Sequence, residues 1–226
     1  LQSFNPKALE AVNRKTDSVL LKSNIEKLVS FGNIHIHVDL IAGLPYEDFE
    51  SFAASFNTAY GLKPHMLQLG FLKLLHGAPM RENPDLFPCR FSSAPPYEVL
   101  ETPWLPPDKL KKLRDAEFAL SRLYNSGRFR RTLDYVLEKT GMAPFELFLS
   151  AGGFMAGKGE RRLSLDSLTA LTLDFFGALE GVDRAALRDK MACDRLATNA
   201  GGRLPRALEV PDGRLKTIKT AVNLKK

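Results

Sequence analysis

Apolar and polar positions along the first third of the chain alternate between the period of a helix and the period of a strand. Asn5 followed by Pro6 is typical of an N-cap and a first helical residue, and predicts a helix over PKALEAVNR. Apolar spacing predicts further helices over residues 16–31 and 47–60. Between these helices, NIHIHVDLIAG has the two-residue period of a strand, and the apolar run at 65–75 predicts a buried strand. This order of elements, with short connections, predicts a parallel sheet.

The pattern changes twice in the rest of the chain. Residues 76–107 are rich in proline and predict a winding connector with little regular structure. Residues 108–226 have mostly helical spacing, except that the tail beyond Gly202 predicts a strand or a hairpin. The predicted fold class is therefore α/β, with a unit of strands and helices at 1–75 followed by a mostly α-helical C-terminal domain. The helices predicted in that domain span residues 108–124, 129–139, 144–154, 164–177 and 184–197.

The bulk composition restricts the class of protein. Hydrophobic residues make up 44% of the 226 residues, which is ordinary for a globular protein with a core. No apolar run reaches the roughly 18 to 20 residues that span a bilayer. The two cysteines, Cys89 and Cys193, are far apart and lie in no metal-ligand spacing, which favours a reducing compartment. We therefore expect a cytoplasmic protein that has no membrane partner.

Positive charge is concentrated in the tail. The net charge is +6, and residues 203–226 hold seven cations against Glu209 and Asp212, a balance of +5. This tail predicts either contact with RNA or an acidic protein, or a solvated terminus that keeps the chain soluble. One function class is therefore a helical binding module that recognises RNA or an acidic protein through a basic tail. The cations are Arg203, Arg206, Arg214, Lys216, Lys219, Lys225 and Lys226.

Two histidines and an aspartate occupy alternate positions of the first predicted strand. His35, His37 and Asp39 share one face because alternate strand residues point the same way. Imidazole and carboxylate groups bind Zn²⁺ or Fe²⁺, so a metal site is one interpretation. The alternatives are a packed polar layer in the lumen of a parallel barrel and incidental polarity on an exposed edge. The spacing alone leaves all three open.

GGFMAGKG at 152–159 satisfies GxxxxGK, part of the phosphate-binding P-loop. Gly159 stands where a P-loop has Ser or Thr to reach Mg²⁺, and the residues upstream are predicted to be helical rather than a strand. A glycine-rich break in a helix is therefore the favoured interpretation.

LQS at the start, then Asn13-Arg14, then HVDLIAGLP resemble the later half of the partial (β/α) barrel of radical S-adenosylmethionine (SAM) enzymes. The similarity is to the coproporphyrinogen-dehydrogenase-like branch, in which a GxQS-type motif, an NR pair and an xDLIxGLP strand follow one another. Gln2, Arg14 and Asp39 stand at those positions, twelve and then twenty-five residues apart.

The resemblance implies roles for these residues. Gln2 and Asp39 are expected to contact the ribose or the methionine portion of SAM, and Arg14 its carboxylate. Arginine offers a bidentate fork to a carboxylate, and carboxylate or amide oxygens accept from amino and hydroxyl groups, so the chemistry agrees with the family's use of them. Lys73, near the end of the next strand, is expected to lie close to the edge of the cofactor.

The similarity continues into the C-terminal part. LQLGFLKLLHGAPM, PPYEVLETPWL, YNSGRF and CDRLATN resemble the last barrel strand and the uncharacterised domain that follows it in cobalamin-binding-domain radical SAM proteins. Such enzymes hold a [4Fe–4S] cluster through CxxxCxxC, which this chain lacks. The resemblance therefore implies the C-terminal part of a longer enzyme, inactive alone, whose partner is the N-terminal remainder.

We expect the parent enzyme to use SAM and the cluster, and the sequence leaves open whether it uses cobalamin. None of these cofactors is expected to bind tightly to this chain alone. The substrate is not predicted.

Overall fold

A computed structural model of the protein describes residues 1–14, 16–159, 163–199 and 203–223. It divides into two compact units, Leu1–Phe118 and Ala119–Lys226. The first contains parallel strands and helices, and the second is built from helices over its described residues. The predicted α/β class with a mostly helical C-terminal part is therefore confirmed.

The four strands of the described residues all lie in the first unit, together with five helices. Its elements are α1 (Pro6–Ala11), α2 (Ser18–Ser30), β1 (His37–Ala42), α3 (Phe49–Gly61), β2 (Met66–Phe71), α4 (Pro79–Glu82), β3 (Arg90–Phe91), β4 (Val99–Glu101) and α5 (Pro107–Leu120), whose last two residues belong to the second unit. Side chains of Asn5, Asp17 and Asp48 accept hydrogen bonds from the first turns of α1, α2 and α3, which explains where these helices begin.

Strands β1 and β2 pair in parallel and bury one face against α3. Alternate residues of each strand point into this layer, because side chains of a strand alternate between its two faces. Truncating a fully buried Phe costs about 3–5 kcal/mol, so the aromatic residues of α3 contribute much of its stability. The buried residues of the layer are Val38, Leu40, Ala42, Phe52, Phe56, Ala59, Leu67 and Leu69.

Strand β1 begins later than its alternating pattern predicts. Ile34 lies before the strand and is 41% exposed. The last hydrogen bond at this end of the ladder runs from the Met66 amide to the Ile36 carbonyl, at 3.1 Å. Two residues earlier, Pro64 has no N–H with which to continue the ladder. The neighbouring His65 side chain instead accepts from the Ile36 amide, at 3.0 Å.

The region after β2 holds short elements among its turns. Strands β3 and β4 pair in antiparallel orientation. The backbones of Lys73 and Glu98 form an isolated antiparallel β-bridge. Arg114 of α5 pairs with Glu98, and its guanidinium lies 4.4 Å from the centre of the Phe71 ring. Through these contacts the proline-rich connector, residues 76–107, packs against α5 and the end of β2.

The second unit is a set of packed helices. Its elements are a π-helical turn (Ser121–Asn125), α6 (Arg130–Thr140), α7 (Pro144–Gly157), α8 (Leu165–Gly177), α9 (Arg184–Thr198), a 3₁₀ turn (Arg206–Leu208) and α10 (Asp212–Asn223). Helix α9 contacts α6, α8 and α10. Among the described residues of the whole chain, no helix has both the length and the apolar composition needed to cross a membrane.

The prediction of a strand or hairpin in the tail is wrong, because the tail forms α10. Its apolar residues Leu215, Ile218 and Val222 follow helical spacing, and they pack against Ala192 and Leu196 of α9. In a strand, Leu215 would point to the face opposite that of Ile218 and Val222. Gly201 and Gly202, like Lys225 and Lys226 of the basic tail, lie outside the described residues.

Helix α6 begins without a capping side chain of its own, since Phe129 occupies the N-cap position. Asp194 of α9, 3% exposed, takes over this function. Its carboxylate accepts from the backbone amides of Arg131 (3.1 Å) and Thr132 (2.9 Å) and from the Thr132 hydroxyl (2.8 Å). One carboxylate therefore joins the first turn of α6 to α9.

Asp194→Ala is expected to lower the free energy of unfolding by about 2–3 kcal/mol, because it leaves buried donors of α6 unpaired. Asp189→Ala on the same helix is the matched control, since Asp189 pairs with the half-exposed Arg214 and such a pair contributes less than about 1 kcal/mol. Urea unfolding followed by circular dichroism measures both variants. Equal losses would contradict the capping role.

Candidate functional site

A cavity of about 300 Å³ lies beside β1, on the face opposite the buried layer. Three of the four residues implied by the resemblance contribute to its wall, although they come from three separate parts of the chain. The lining residues are Leu1, Gln2, Leu9, Arg14, Thr16, Leu21, Asp39 and Ile41.

Gln2 reaches the cavity because residues 1–5, which we call the N-terminal segment, run beside β1. The Gln2 carbonyl accepts from the Ile41 amide at 2.9 Å, on the edge of β1 that β2 leaves free. The Gln2 Oε1 atom is buried and has no hydrogen-bond donor among the described residues. A buried acceptor without a donor costs about 1–3 kcal/mol, so a ligand that donates a hydrogen bond to this oxygen recovers that amount.

Arg14 reaches the cavity through a reversal at the end of α1. Asn13 adopts the left-handed conformation, with φ of 55°, which asparagine tolerates better than most residues other than glycine. The Arg14 amide then donates back to the Leu9 carbonyl at 2.8 Å. The Arg14 side chain is exposed and has no ion-pair partner within the described part of the chain. Its guanidinium is therefore available to an anion.

Asp39 lies apart from His35 and His37, with which it occupies alternate positions in the sequence. It lines the cavity. His35 and His37 contact each other near the start of β1, with Nδ1 and Nε2 2.8 Å apart, and the His35 ring lies 4.9 Å from that of His65. No group of three or more His, Cys, Asp or Glu residues suited to a metal ion occurs among the described residues. The structure thus places the aspartate with Gln2, and the histidines with one another.

Lys73 does not join the other three predicted residues. It lies beyond the end of β2 and is exposed, and its backbone forms the β-bridge with Glu98. It is absent from the cavity wall. Gln68 is the residue of β2 in register with Asp39, and its exposed side chain belongs to the same face.

Sequence reasoning missed a buried polar cluster directly behind Gln2. Glu47 is fully buried, and its Oε1 accepts from the hydroxyls of Ser3 and of Ser55, the latter at 3.2 Å. Burial raises the pKa of Glu47 to about 7, despite the opposing effect of these two hydrogen bonds. In sequence Glu47 resembles any acidic residue near a helix start, and its hydrogen-bond partner Ser3 is 44 residues away, so no local signal marks the cluster.

Burial disfavours the ionised form of other candidate side chains. Burial raises the pKa of the Cys89 and Cys193 thiols, which disfavours the nucleophilic thiolate. Burial also raises the pKa of Tyr124 to about 12. Residues 152–157 of the glycine-rich stretch that resembles a P-loop belong to α7, so they form neither a phosphate-binding loop nor the predicted break in the helix.

The cavity combines complementary charges that no described side chain neutralises. Arg14 supplies a bidentate donor for a carboxylate, while Asp39 and Gln2 Oε1 supply acceptors for an ammonium group or hydroxyls. These groups are the ones that recognise an α-amino acid moiety. A cavity of about 300 Å³ lies at the small end of the range for ligand sites.

Comparison with protein-family models matches residues 85–225 to a family described as "Protein of unknown function (DUF4080)". No curated protein matches the chain. The matched range covers more than half of the 226 residues and bears out the prediction of an uncharacterised C-terminal domain. It begins after the last residue that lines the cavity.

The raised pKa of Glu47 predicts a stability that falls with pH. The folded protein retains this proton up to about pH 7, whereas the unfolded chain releases it near 4.5, so the stabilisation is complete below pH 4.5 and is lost as pH rises to 7. The loss amounts to about 3 kcal/mol. Urea unfolding of the wild type and Glu47→Gln at several pH values measures it, because all other titrations are shared. A constant difference between the two proteins would contradict the assignment.

Proposed function

We propose that this chain, which belongs to the DUF4080 family of proteins of unknown function, supplies part of the SAM-binding surface of a radical SAM enzyme and completes one side of its (β/α) barrel. By itself the chain is not catalytic. The single observation that carries the proposal is the meeting of Gln2, Arg14 and Asp39 at one cavity.

The positions of these residues support the proposal beyond the sequence resemblance. Gln2, Arg14 and Asp39 come from a segment without regular secondary structure, a turn after a helix and a strand. Nothing in the spacing of the three motifs requires that their side chains line one cavity. Their chemistry suits the methionine part of SAM, with Arg14 for its carboxylate and the two oxygen-bearing side chains for its amino and hydroxyl groups.

The parallel arrangement supports the barrel part of the proposal. The N-terminal segment, β1 and β2 lie side by side in that order, and α3 covers one face. The opposite face carries Asp39 and Gln68, both exposed. In a closed barrel this second face points to the lumen, where ligands bind near the C-terminal ends of the strands.

The cysteines of this chain do not fit an iron–sulfur cluster. The cluster of a radical SAM enzyme needs three thiolates, and the sequence has two cysteines at distant positions. Cluster binding, reductive cleavage of SAM and any use of cobalamin are therefore assigned to the remainder of the enzyme. The proposed contribution of this chain is to bind and orient SAM.

The alternative, a module that recognises RNA or an acidic protein through its basic tail, has less support. Arg214 of the tail is engaged by Asp189. The apolar face of α10 is occupied by α9. No described side chain of the tail forms an aromatic platform of the kind that stacks on single-stranded bases.

NMR spectroscopy of the ¹⁵N-labelled 226-residue protein tests the proposal, with SAM as the ligand. We expect binding with a dissociation constant in the millimolar range, about 4 kcal/mol, because the chain supplies one side of the site. Amide shifts should change around Gln2, Arg14 and Asp39. Arg14→Gln and Asp39→Asn should each weaken binding about tenfold or more, through loss of a charge-assisted hydrogen bond.

Arg128→Gln is the matched control, because Arg128 is an exposed arginine of the second unit. It should bind SAM as the wild type does. Shift changes that are confined to the second unit, or equal losses in the Arg14 and Arg128 variants, would overturn the proposal.

A further inference from the structure

We propose that Glu47 is a positioning residue for the cavity, which fixes the N-terminal segment through Ser3 so that Gln2 faces the ligand. The inference rests on the proposed function, because it takes SAM as the ligand. It assigns a role to a buried carboxyl group that does not itself line the cavity.

The contacts of Glu47 converge on the N-terminal segment. Its Oε1 accepts from the Ser3 hydroxyl, which in turn accepts from the Asn5 amide at 2.8 Å. The Ser55 hydroxyl donates to the same Oε1 and accepts from the Phe4 amide at 3.0 Å. One carboxyl oxygen thus accepts hydrogen bonds from two hydroxyls. These hydroxyls in turn accept from the backbone amides of two consecutive residues of the N-terminal segment.

A second bond connects the segment to the loop that carries Glu47. The Asn5 side chain donates to the Tyr46 carbonyl at 2.8 Å, directly before Glu47. Tyr46 adopts the left-handed conformation, with φ of 60°, a state that non-glycine residues adopt where surrounding contacts hold them. The loop after β1 and the N-terminal segment therefore hold each other in place.

The direction of Gln2 follows from the fixed direction of Ser3. The side chains of these two consecutive residues lie in different surroundings. Ser3 is fully buried beside Glu47, and the preceding Gln2 lines the cavity. If Ser3 is released, the hydrogen bond between the Gln2 carbonyl and the Ile41 amide still joins the backbone of Gln2 to β1, but Ser3 no longer fixes the direction of the segment. The placement of Oε1 in the cavity is then no longer determined.

The neutral form of Glu47 suits this arrangement better than the charged form. Its Oε2 atom is buried and has no hydrogen-bond partner among the described residues. Asp48, at the start of α3, is the charged group that acts on it, and its negative charge further raises the pKa of Glu47. An ionised carboxylate there needs hydration, and displacement of the N-terminal segment, which Glu47 holds through Ser3, would admit water.

The test compares SAM affinity and the hydrogen-exchange rate of the Ile41 amide at pH 6 and pH 8.5, in the wild type and in Glu47→Gln. A carboxyl group with a pKa of about 7 is mostly ionised at the higher pH. The wild-type affinity should therefore fall roughly tenfold more than that of the variant. Ile41 exchange, relative to the variant, should rise by the same factor. Titration of SAM and the intrinsic exchange rate are shared, so they cancel in these ratios.

Glu50→Gln, an exposed acidic residue in the first turn of α3, is the matched control and should behave as the wild type. Glu47→Ala, which removes the acceptor of Ser3, should raise Ile41 exchange at both pH values, and Glu47→Gln keeps the test decisive if the alanine variant does not fold. Identical pH profiles in the wild type and Glu47→Gln would overturn the inference.

The exchange measurement separates this inference from the proposed function. If SAM fails to bind the wild type while Ile41 exchange depends on Glu47, the SAM assignment is overturned and the positioning role is supported. If SAM binds and neither its affinity nor Ile41 exchange responds to Glu47, the positioning role is overturned and the SAM assignment stands.

Discussion

The alternation of side chains along β1 is the constraint on which the candidate site depends. Because consecutive residues of a strand point to opposite faces, Val38 and Leu40 reach the layer beneath α3 only if Asp39 points the other way. A shift of one residue in register would bury the aspartate and expose the apolar side chains. The hydrophobic energy of the core therefore also fixes the direction of a charged group in the cavity. The N-terminal segment adds Gln2 at the free edge of the same strand.

The buried carboxyl groups show how the two units use polar contacts differently. Asp194 accepts from four donors at the start of α6, one of them the Arg131 guanidinium, so its carboxylate has partners for the charge that it brings into the interior. Glu47 has two hydroxyl donors on one oxygen and none, among the described residues, on the other. Burial raises the pKa of both groups, and for Glu47 it does so to about 7. Because Glu47 ionises near neutral pH, a change of pH in this range alters the charge of the group that holds the N-terminal segment.

Much of the fold could be predicted from local patterns, since each signal involves neighbours in sequence. Asn5-Pro6 marks the start of α1, and alternation marks β1, because capping and facial periodicity act within a few residues. The predictions were wrong where contacts between residues far apart in sequence determine the secondary structure. Pro64 ends the ladder that Ile34 would have joined, and α9 supplies the apolar surface on which the tail becomes a helix. Neither influence is visible within a short window of sequence.

The sequence by itself determined the α/β class and the parallel pairing, because periodicity is a property of the chain alone. Gln2, Arg14 and Asp39 became candidates through the resemblance of their motifs to those of radical SAM enzymes. Only the tertiary structure decided which candidates meet. It placed those three at one cavity, left Lys73 outside it, and grouped His35 and His37 with His65. It also revealed Glu47, since burial and an altered pKa arise from residues that folding brings together across long separations in sequence.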